Sequence, residues 1–197
     1  MANSVNNKIV CAKGLVIAQD IEGRVRAFDQ KSGNMMWRYE PPVHAWKIIL
    51  NGLSYDAETG IVFVGNGKRM AALDAATGKV VWKDAGWGDR GEACADTPGI
   101  GDGCIVSSGN WEGMFCNDVK SGKLLWSVID RTRRFPGATP LIRDGRIHTL
   151  AAASYLEIDL KTGKTVRQKK LPSGVQVTTR VLITDSHLIF GTVKAGL

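Results

Sequence analysis

Apolar and polar positions along this chain fall into strand-length blocks that return in the same order. Leu15 to Ala18, Ile61 to Val64 and Cys104 to Val106 are apolar at every position, as a strand covered on both faces must be. A second set, Val25 to Phe28, Met70 to Leu73, Met114 to Cys116 and Tyr155 to Ile158, leads each time to an aspartate at a predicted turn. Beyond that turn, Met35 and Trp37, Val80 and Trp82, and Leu124 and Trp126 stand at alternate positions, the two-residue period of a strand with one buried face. Thr97-Pro98 and Thr139-Pro140 open a further block, at a strand start where proline removes no ladder hydrogen bond. Gln19 to Arg24, Gly65 to Lys68 and Ser108 to Gly113 read as hairpin connections from their glycines and polar residues.

The turn itself is one phrase written four times: Asp29 to Trp37, Asp74 to Trp82, Asp118 to Trp126 and Asp159 to Arg167, with the aspartates 45, 44 and 41 residues apart. The aspartate accepts from backbone N–H groups just ahead of it, Ser or Thr does the same, and glycine takes a positive φ without steric cost. A tryptophan is too large to stand in water at three equivalent positions, so it is expected to dock each unit against the next.

Self-similarity at this period means stacked units, since one unit cannot bury its own apolar faces. Four strands in 40 to 45 residues match a propeller blade. The predicted fold is all-β, a partial propeller of about four four-stranded blades at 9–40, 41–86, 95–130 and 138–172, with two strands of a fifth in 178–197. A helical solenoid is excluded because no run has apolar residues at helical spacing. A β-sandwich has no reason to repeat its turn chemistry. Open blade edges invite association, so a homodimer or edge-to-edge contact is expected, a small closed four-bladed ring being the alternative. No charged segment followed by an apolar one stands at the start, so no signal peptide is read there.

Composition narrows the picture little. The formal charge of +7 is spread along the chain, with Arg131, Arg133 and Arg134 concentrated in one predicted loop. That argues against a nucleic-acid surface, which needs a basic stripe with stacking aromatics. No apolar run is long enough to span a membrane. Cys11, Cys94, Cys104 and Cys116 lack zinc spacing, and Cys104 and Cys116 fall on two arms of one hairpin, where they are expected to be buried as small apolar groups. His44, His148 and His187 are scattered, with His148 and His187 inside predicted strands. Gly163-Lys164-Thr165 and Gly65-Asn66-Gly67 lack the other residues of phosphate and dinucleotide loops.

With those residues in view, the chain resembles the pyrroloquinoline-quinone-type (PQQ-like) propeller repeat, whose blades end in a phrase like A-x-D-x-x-T-G-K-x-x-W. Ala72 to Trp82 is the nearest copy, Ala27 to Trp37 keeps the frame, the third copy has Cys116 at the alanine place, and the fourth has Glu157 there and Arg167 for the tryptophan. The resemblance covers nearly the whole chain. It implies a repeat found in calcium- and quinone-dependent dehydrogenases, in the lipoprotein scaffold of the outer-membrane barrel-assembly machinery, and in propellers attached to other enzymes.

In such a ring the connections between blades share a face with the hairpin loops inside each blade. That face is expected to carry Trp46, Trp87, Asp89, Arg90, Glu92, Asp96, Asn110, Trp111, Glu112 and Arg131 to Arg134. A quinone needs a flat ring to stack on, oxygen ligands for a hard cation and a carboxylate base. Trp111 or Trp87 would stack, Glu92 and Asn110 would ligate Ca²⁺, and Asp96 or Asp89 would act as base. The adjacent cysteine pair that flanks the quinone in many of these dehydrogenases is absent, and no cofactor is expected in this chain, PQQ with Ca²⁺ being the alternative. The leading expectation is a non-catalytic binding or scaffold module that presents Trp46, Trp87, Arg90, Arg133 and Arg134 to a protein, peptide or glycan. The alternatives are a fragment of a quinoprotein dehydrogenase and a sensory propeller joined to a separate catalytic domain. The resemblance implies a periplasmic or extracellular parent protein.

Overall fold

The computed structural model describes residues 5–41, 52–66, 69–83, 97–108, 113–129, 139–151 and 153–172, and the short segments 175–177, 182–184, 187–189 and 192–194. All regular structure among them is β-strand. Four antiparallel sheets of four strands follow one another along the chain. They are β1 (Val5–Ala12), β2 (Leu15–Asp20), β3 (Val25–Asp29) and β4 (Met35–Tyr39), then β5 (Ser54–Asp56), β6 (Ile61–Asn66), β7 (Arg69–Asp74) and β8 (Val80–Lys83). The third blade is β9 (Gly99–Gly101), β10 (Cys104–Ser108), β11 (Gly113–Asp118) and β12 (Leu124–Ile129); the fourth is β13 (Leu141–Arg143), β14 (Arg146–Ala151), β15 (Ser154–Asp159) and β16 (Thr165–Lys170). Each blade is a simple meander, and its first strand touches the first strand of the next, so β1, β5, β9 and β13 line the axis of a β-propeller.

The repeated turn forms as its chemistry dictates. Asp118 Oδ1 accepts from Ser121 N at 2.7 Å and Ser121 Oγ at 2.6 Å, and Asp74 holds Thr77 in the same way at 2.8 and 2.7 Å. Gly122 closes the turn at φ 71°, with its N–H donating to Asp118 O at 2.9 Å. Asp29 with Ser32 and Asp159 with Thr162 repeat the device.

Each tryptophan then reaches across to the turn of the following blade. Trp37 Nε1 donates to Ala75 O at 3.1 Å, Trp82 Nε1 to Val119 O at 2.9 Å, and Trp126 Nε1 to Leu160 O at 2.7 Å. The indoles lie flat against Gly78, Gly122 and Gly163, so closely that a Cβ there would stand 2.5 to 2.7 Å from ring carbon. The glycine of the phrase therefore serves twice, in its own turn and as the seat for the preceding blade's tryptophan. Around these contacts lie three apolar seams. Ile17, Val25 and Ala27 of the first blade meet Val62, Val64 and Leu73 of the second. Phe63, Met70 and Trp82 meet Ile105 and Phe115, and Val106, Met114 and Cys116 meet Ile147, Leu156 and Ile158.

Beyond the fourth blade, β17 (Val175–Val177) pairs with β20 (Thr192–Lys194), and β18 (Leu182–Ile183) with β19 (Leu188–Ile189). The registers are those of one hairpin whose pairing shifts partway, as the β1–β2 pairing does between Val5 and Ile9. Two arms of a fifth unit are thus present.

Two sequence expectations need correction. Gln19, Asp20, Gly65, Asn66, Ser108 and Gly113 lie in strands instead of loops, and the fully buried Gln19 finds its partner in the neighbouring blade, donating from Nε2 to Gly65 O at 3.0 Å. His187 lies in the exposed turn before β19, where its N–H donates to Thr184 Oγ1 at 2.9 Å. A threonine four residues from a strand start competes for the backbone and ends the strand early.

Candidate functional site

The first strands of the four blades line an open pocket of about 520 Å³ on the propeller axis. Its walls are Ile9 to Cys11, Leu53 to Tyr55, Thr97 to Ile100 and Thr139 to Ile142. The width is set by glycine. A Cβ at Gly99 would stand 2.0 Å from Pro140 O, and one at Gly101 would meet the Ile142 side chain at 2.9 Å, so β9 and β13 approach as closely as backbones allow. Ser54 Oγ donates to Pro98 O at 2.5 Å and ties the second blade's inner strand to the third's. Aliphatic and proline side chains share the lining about equally with polar surface from the backbone, the hydroxyls of Ser54, Tyr55, Thr97 and Thr139 and the exposed Cys11 thiol, and no side chain of the described lining residues is charged.

Toward the loop face, polarity rises along the second strands. Gln19 Oε1, Ser107 Oγ and Thr149 Oγ1 are buried there without a hydrogen-bond partner among the described residues. Asp20 is buried and anchors the β2–β3 turn, accepting from Glu22 N at 3.0 Å, Arg24 N at 2.9 Å, Arg24 Nε at 2.7 Å and Arg26 Nη1 at 3.2 Å. Burial disfavours its charge, but the bonds from Arg24, Arg26 and Glu22 outweigh that and hold its carboxyl below the usual range. Every lone pair is committed to the turn, so Asp20 is a structural anion and not a base waiting for a substrate.

The fourth blade departs from the other three on the side that faces onward around the ring. Where blade one presents Leu15, Ile17, Ala27 and Trp37, register places Arg146, His148, Glu157 and Arg167. Arg146 pairs with Asp159, and with Glu157 at 3.7 Å. His148 Nδ1 is 2.7 Å from Tyr155 Oη, with the rings stacked 6.1 Å apart. Burial lowers the His148 pKa and raises that of Tyr155. His148 is therefore a packed strand residue, as expected. Cys104 and Cys116, diagonal neighbours across β10 and β11, are free thiols, and burial pushes both upward, Cys116 far upward.

The loop residues that the sequence nominates, Trp46, Trp87, Asp89, Arg90, Glu92, Asp96, Asn110, Trp111, Glu112 and Arg131 to Arg134, all lie outside the described residues, as does Cys94. Among the described residues no group of three His, Cys, Asp or Glu side chains stands ready to hold a metal, and the axial lining offers hydroxyls where Ca²⁺ favours carboxylates. No helix of the described residues is long and apolar enough to cross a membrane. Sequence reasoning overlooked the axial cavity itself. Its signal was present in Gly99-Ile100-Gly101 after Thr97-Pro98, an inner strand with side chains deleted at alternate positions.

Residues 1–184 match the family described as outer membrane protein assembly factor BamB. Among curated proteins, the dehydrogenase subunit of the quinone alcohol dehydrogenase of Gluconobacter oxydans (strain 621H) is 35% identical over 159 residues, which is 66% of this chain and 20% of that protein. Among solved structures, BamB from Moraxella catarrhalis superposes with a TM-score of 0.75 at 20% identity, covering 98% of this chain and 57% of that one. The quinohemoprotein alcohol dehydrogenase of Comamonas testosteroni gives 0.72 at 18% identity, covering 92% and 38%. The chain thus spans about a fifth of that curated relative and roughly half of the BamB structure it resembles. At these identities the structural likeness speaks for the fold, a PQQ-like β-propeller.

Proposed function

The chain belongs to the family of the outer membrane protein assembly factor BamB, and from that premise we propose that it is a non-catalytic propeller module binding a protein segment around its axis. The observation that carries this reading is the chemistry of the axial cavity. Four inner strands present aliphatic and proline side chains beside backbone polar groups and hydroxyls, with no charged side chain among the described lining residues. Such a wall suits an apolar polypeptide segment, which it meets with shape and a few hydrogen bonds. Assembly factors act on protein clients, and a broad face on a stiff repeat scaffold serves that purpose. The reading carries with it a periplasmic location. Trp46, Trp87, Arg90, Arg133 and Arg134 remain our nominees for the surrounding loop contacts. Association of copies through the half-exposed Val16, Ala18 and Phe28 face of the first blade belongs to the same proposal, and a monomer by light scattering would remove it.

The test is binding of a labelled transmembrane β-strand peptide, alternating apolar and polar, followed by fluorescence anisotropy. Saturable binding that Ile100→Asp and Leu141→Lys each weaken at least tenfold supports the axial site; unchanged affinity in both overturns it.

A second reading is a fragment of a PQQ- and calcium-dependent dehydrogenase, favoured by the 35% identity with the Gluconobacter subunit. Trp111 would stack on the quinone, Glu92 and Asn110 would hold the cation, and Asp96 would sit near the substrate as base. When bound, the quinone supplies the electron sink. Saturable PQQ binding that requires Ca²⁺ and is lost in Glu92→Gln with Asn110→Ala would favour this reading over the first.

A further inference from the structure

The outer edge of β16 is unlike those of the other blades. Each blade ends at its fourth strand, whose outer backbone groups no strand among the described residues pairs. In the first three blades that strand is fastened to the next blade by an indole N–H. In the fourth, Arg167 stands in place of the tryptophan, and every residue from Val166 to Lys170 is exposed. Lys161, Lys164, Arg167, Lys169 and Lys170 put five cations into ten residues, and no carboxylate lies between Leu160 and Pro172. Among the described residues the ion pairs of this blade join Arg143 to Asp144 and Arg146 to Asp159 and Glu157 and take in none of those five cations, while Glu157 stands across the ladder from Arg167.

We propose that the outer edge of β16 receives an acidic, extended segment of a partner protein as an added strand. The partner's backbone completes the ladder and its carboxylates meet Arg167 and Lys169. Charge decides the occupant. A second copy would bring the same cations to the same edge, and lysines on an edge repel that pairing. A single-stranded nucleic acid would want aromatic rings to stack on, and β16 exposes none. Register places Arg167 with Glu157 and Lys169 with Tyr155 on one face, and Gln168 with Leu156 and Lys170 with Ser154 on the other, Val166 being the unpaired residue where the ladder shifts. A segment with acidic residues at alternate positions, facing Arg167 and Lys169, and small uncharged ones between them fits that alternation. This edge is far from the axial strands of the same blade, so its failure would leave the axial reading standing.

The probe is a fluorescein-labelled decapeptide alternating glutamate with valine and threonine, titrated into the full chain. Binding should weaken with salt, and Arg167→Glu with Lys169→Glu should reduce affinity at least about tenfold. Both side chains are exposed, so the melting temperature should hold; Arg167→Gln with Lys169→Gln, expected to give a smaller loss, guards against misfolding. A lysine counterpart of the peptide should bind only the charge-reversed protein. N-methylation at alternate peptide nitrogens should abolish binding, and residues 165–170 should gain amide-exchange protection with the unmodified peptide. An N-methylated peptide that binds as tightly as its parent overturns the added strand. So does tighter binding of oligo-dT or of phosphatidylglycerol vesicles than of the peptide, or unchanged affinity in the charge-reversed protein.

Discussion

Replacing Trp82 measures how the blades hold one another. The side chain is 9% exposed, donates to Val119 O at 2.9 Å, and packs against Phe63 with ring centroids 5.7 Å apart. Truncating a buried aromatic to alanine costs about 3–5 kcal/mol, and the Val119 carbonyl left without its donor adds about 1 kcal/mol or more. Trp82→Ala is therefore expected to cost about 5 kcal/mol, a large part of the stability of an ordinary domain. Urea unfolding followed by far-UV circular dichroism is the assay, since fluorescence changes with the substitution itself. A double-mutant cycle isolates the contact. An alanine Cβ at Gly122 would stand 2.5 Å from Trp82 Cδ2, at a backbone φ of 71°. In the wild-type background Gly122→Ala meets both the clash and the left-handed backbone penalty, about 3 kcal/mol together. Once Trp82 is alanine the clash is gone and only the backbone penalty remains, about 1 kcal/mol. The expected coupling is about 2 kcal/mol. A loss below about 1 kcal/mol for Trp82→Ala, or additivity within about 0.5 kcal/mol in the cycle, would refute docking as the source of stability.

Three further outcomes are expected. The turn aspartates are held below the usual carboxylate range, Asp29 chiefly by the Ser32 N–H and Asp74, Asp118 and Asp159 chiefly by the Thr77, Ser121 and Thr162 hydroxyls. Their folded pKa lies below the unfolded value, so their contribution is complete above about pH 5 and drains away as the pH falls below about 4; a urea midpoint that stays level down to about pH 2.5 would contradict this. Cys11 is exposed while burial drives the Cys116 thiol far upward, so iodoacetamide at about pH 8 should label Cys11 in the native protein and Cys116 only after unfolding, read by peptide mass spectrometry. Gln19→Ala should cost about 1–2 kcal/mol because it strands the buried Gly65 carbonyl, whereas an unchanged urea midpoint would show that the bond contributes nothing.

Much of this fold was legible in the residues alone. The Asp-to-Trp phrase encodes a turn, a glycine conformation and a docking ring within nine residues, and all three are local or repeat at constant spacing. The order of the blades, the alternating buried faces and the paired start of a fifth unit follow from the same periodicity. The candidate site was less legible. The loop residues chosen for their chemistry fall outside the described residues, and the axial cavity depends on how closely Gly99 and Gly101 admit Pro140 and Ile142, a contact between segments some forty residues apart.

Sequence by itself settled what each strand is and which of its faces seeks cover, because periods of two and turn chemistry act between near neighbours. Tertiary structure alone decided what covers those faces. Arg167 was visible as a missing tryptophan, but only the register of β14, β15 and β16 puts Arg146, His148, Glu157 and Arg167 on one side, turning an apolar seam into a charged one. Glycine's second duty, as the floor beneath the preceding blade's indole, was hidden for the same reason: that contact joins residues 37 to 41 apart that meet only when blades stack.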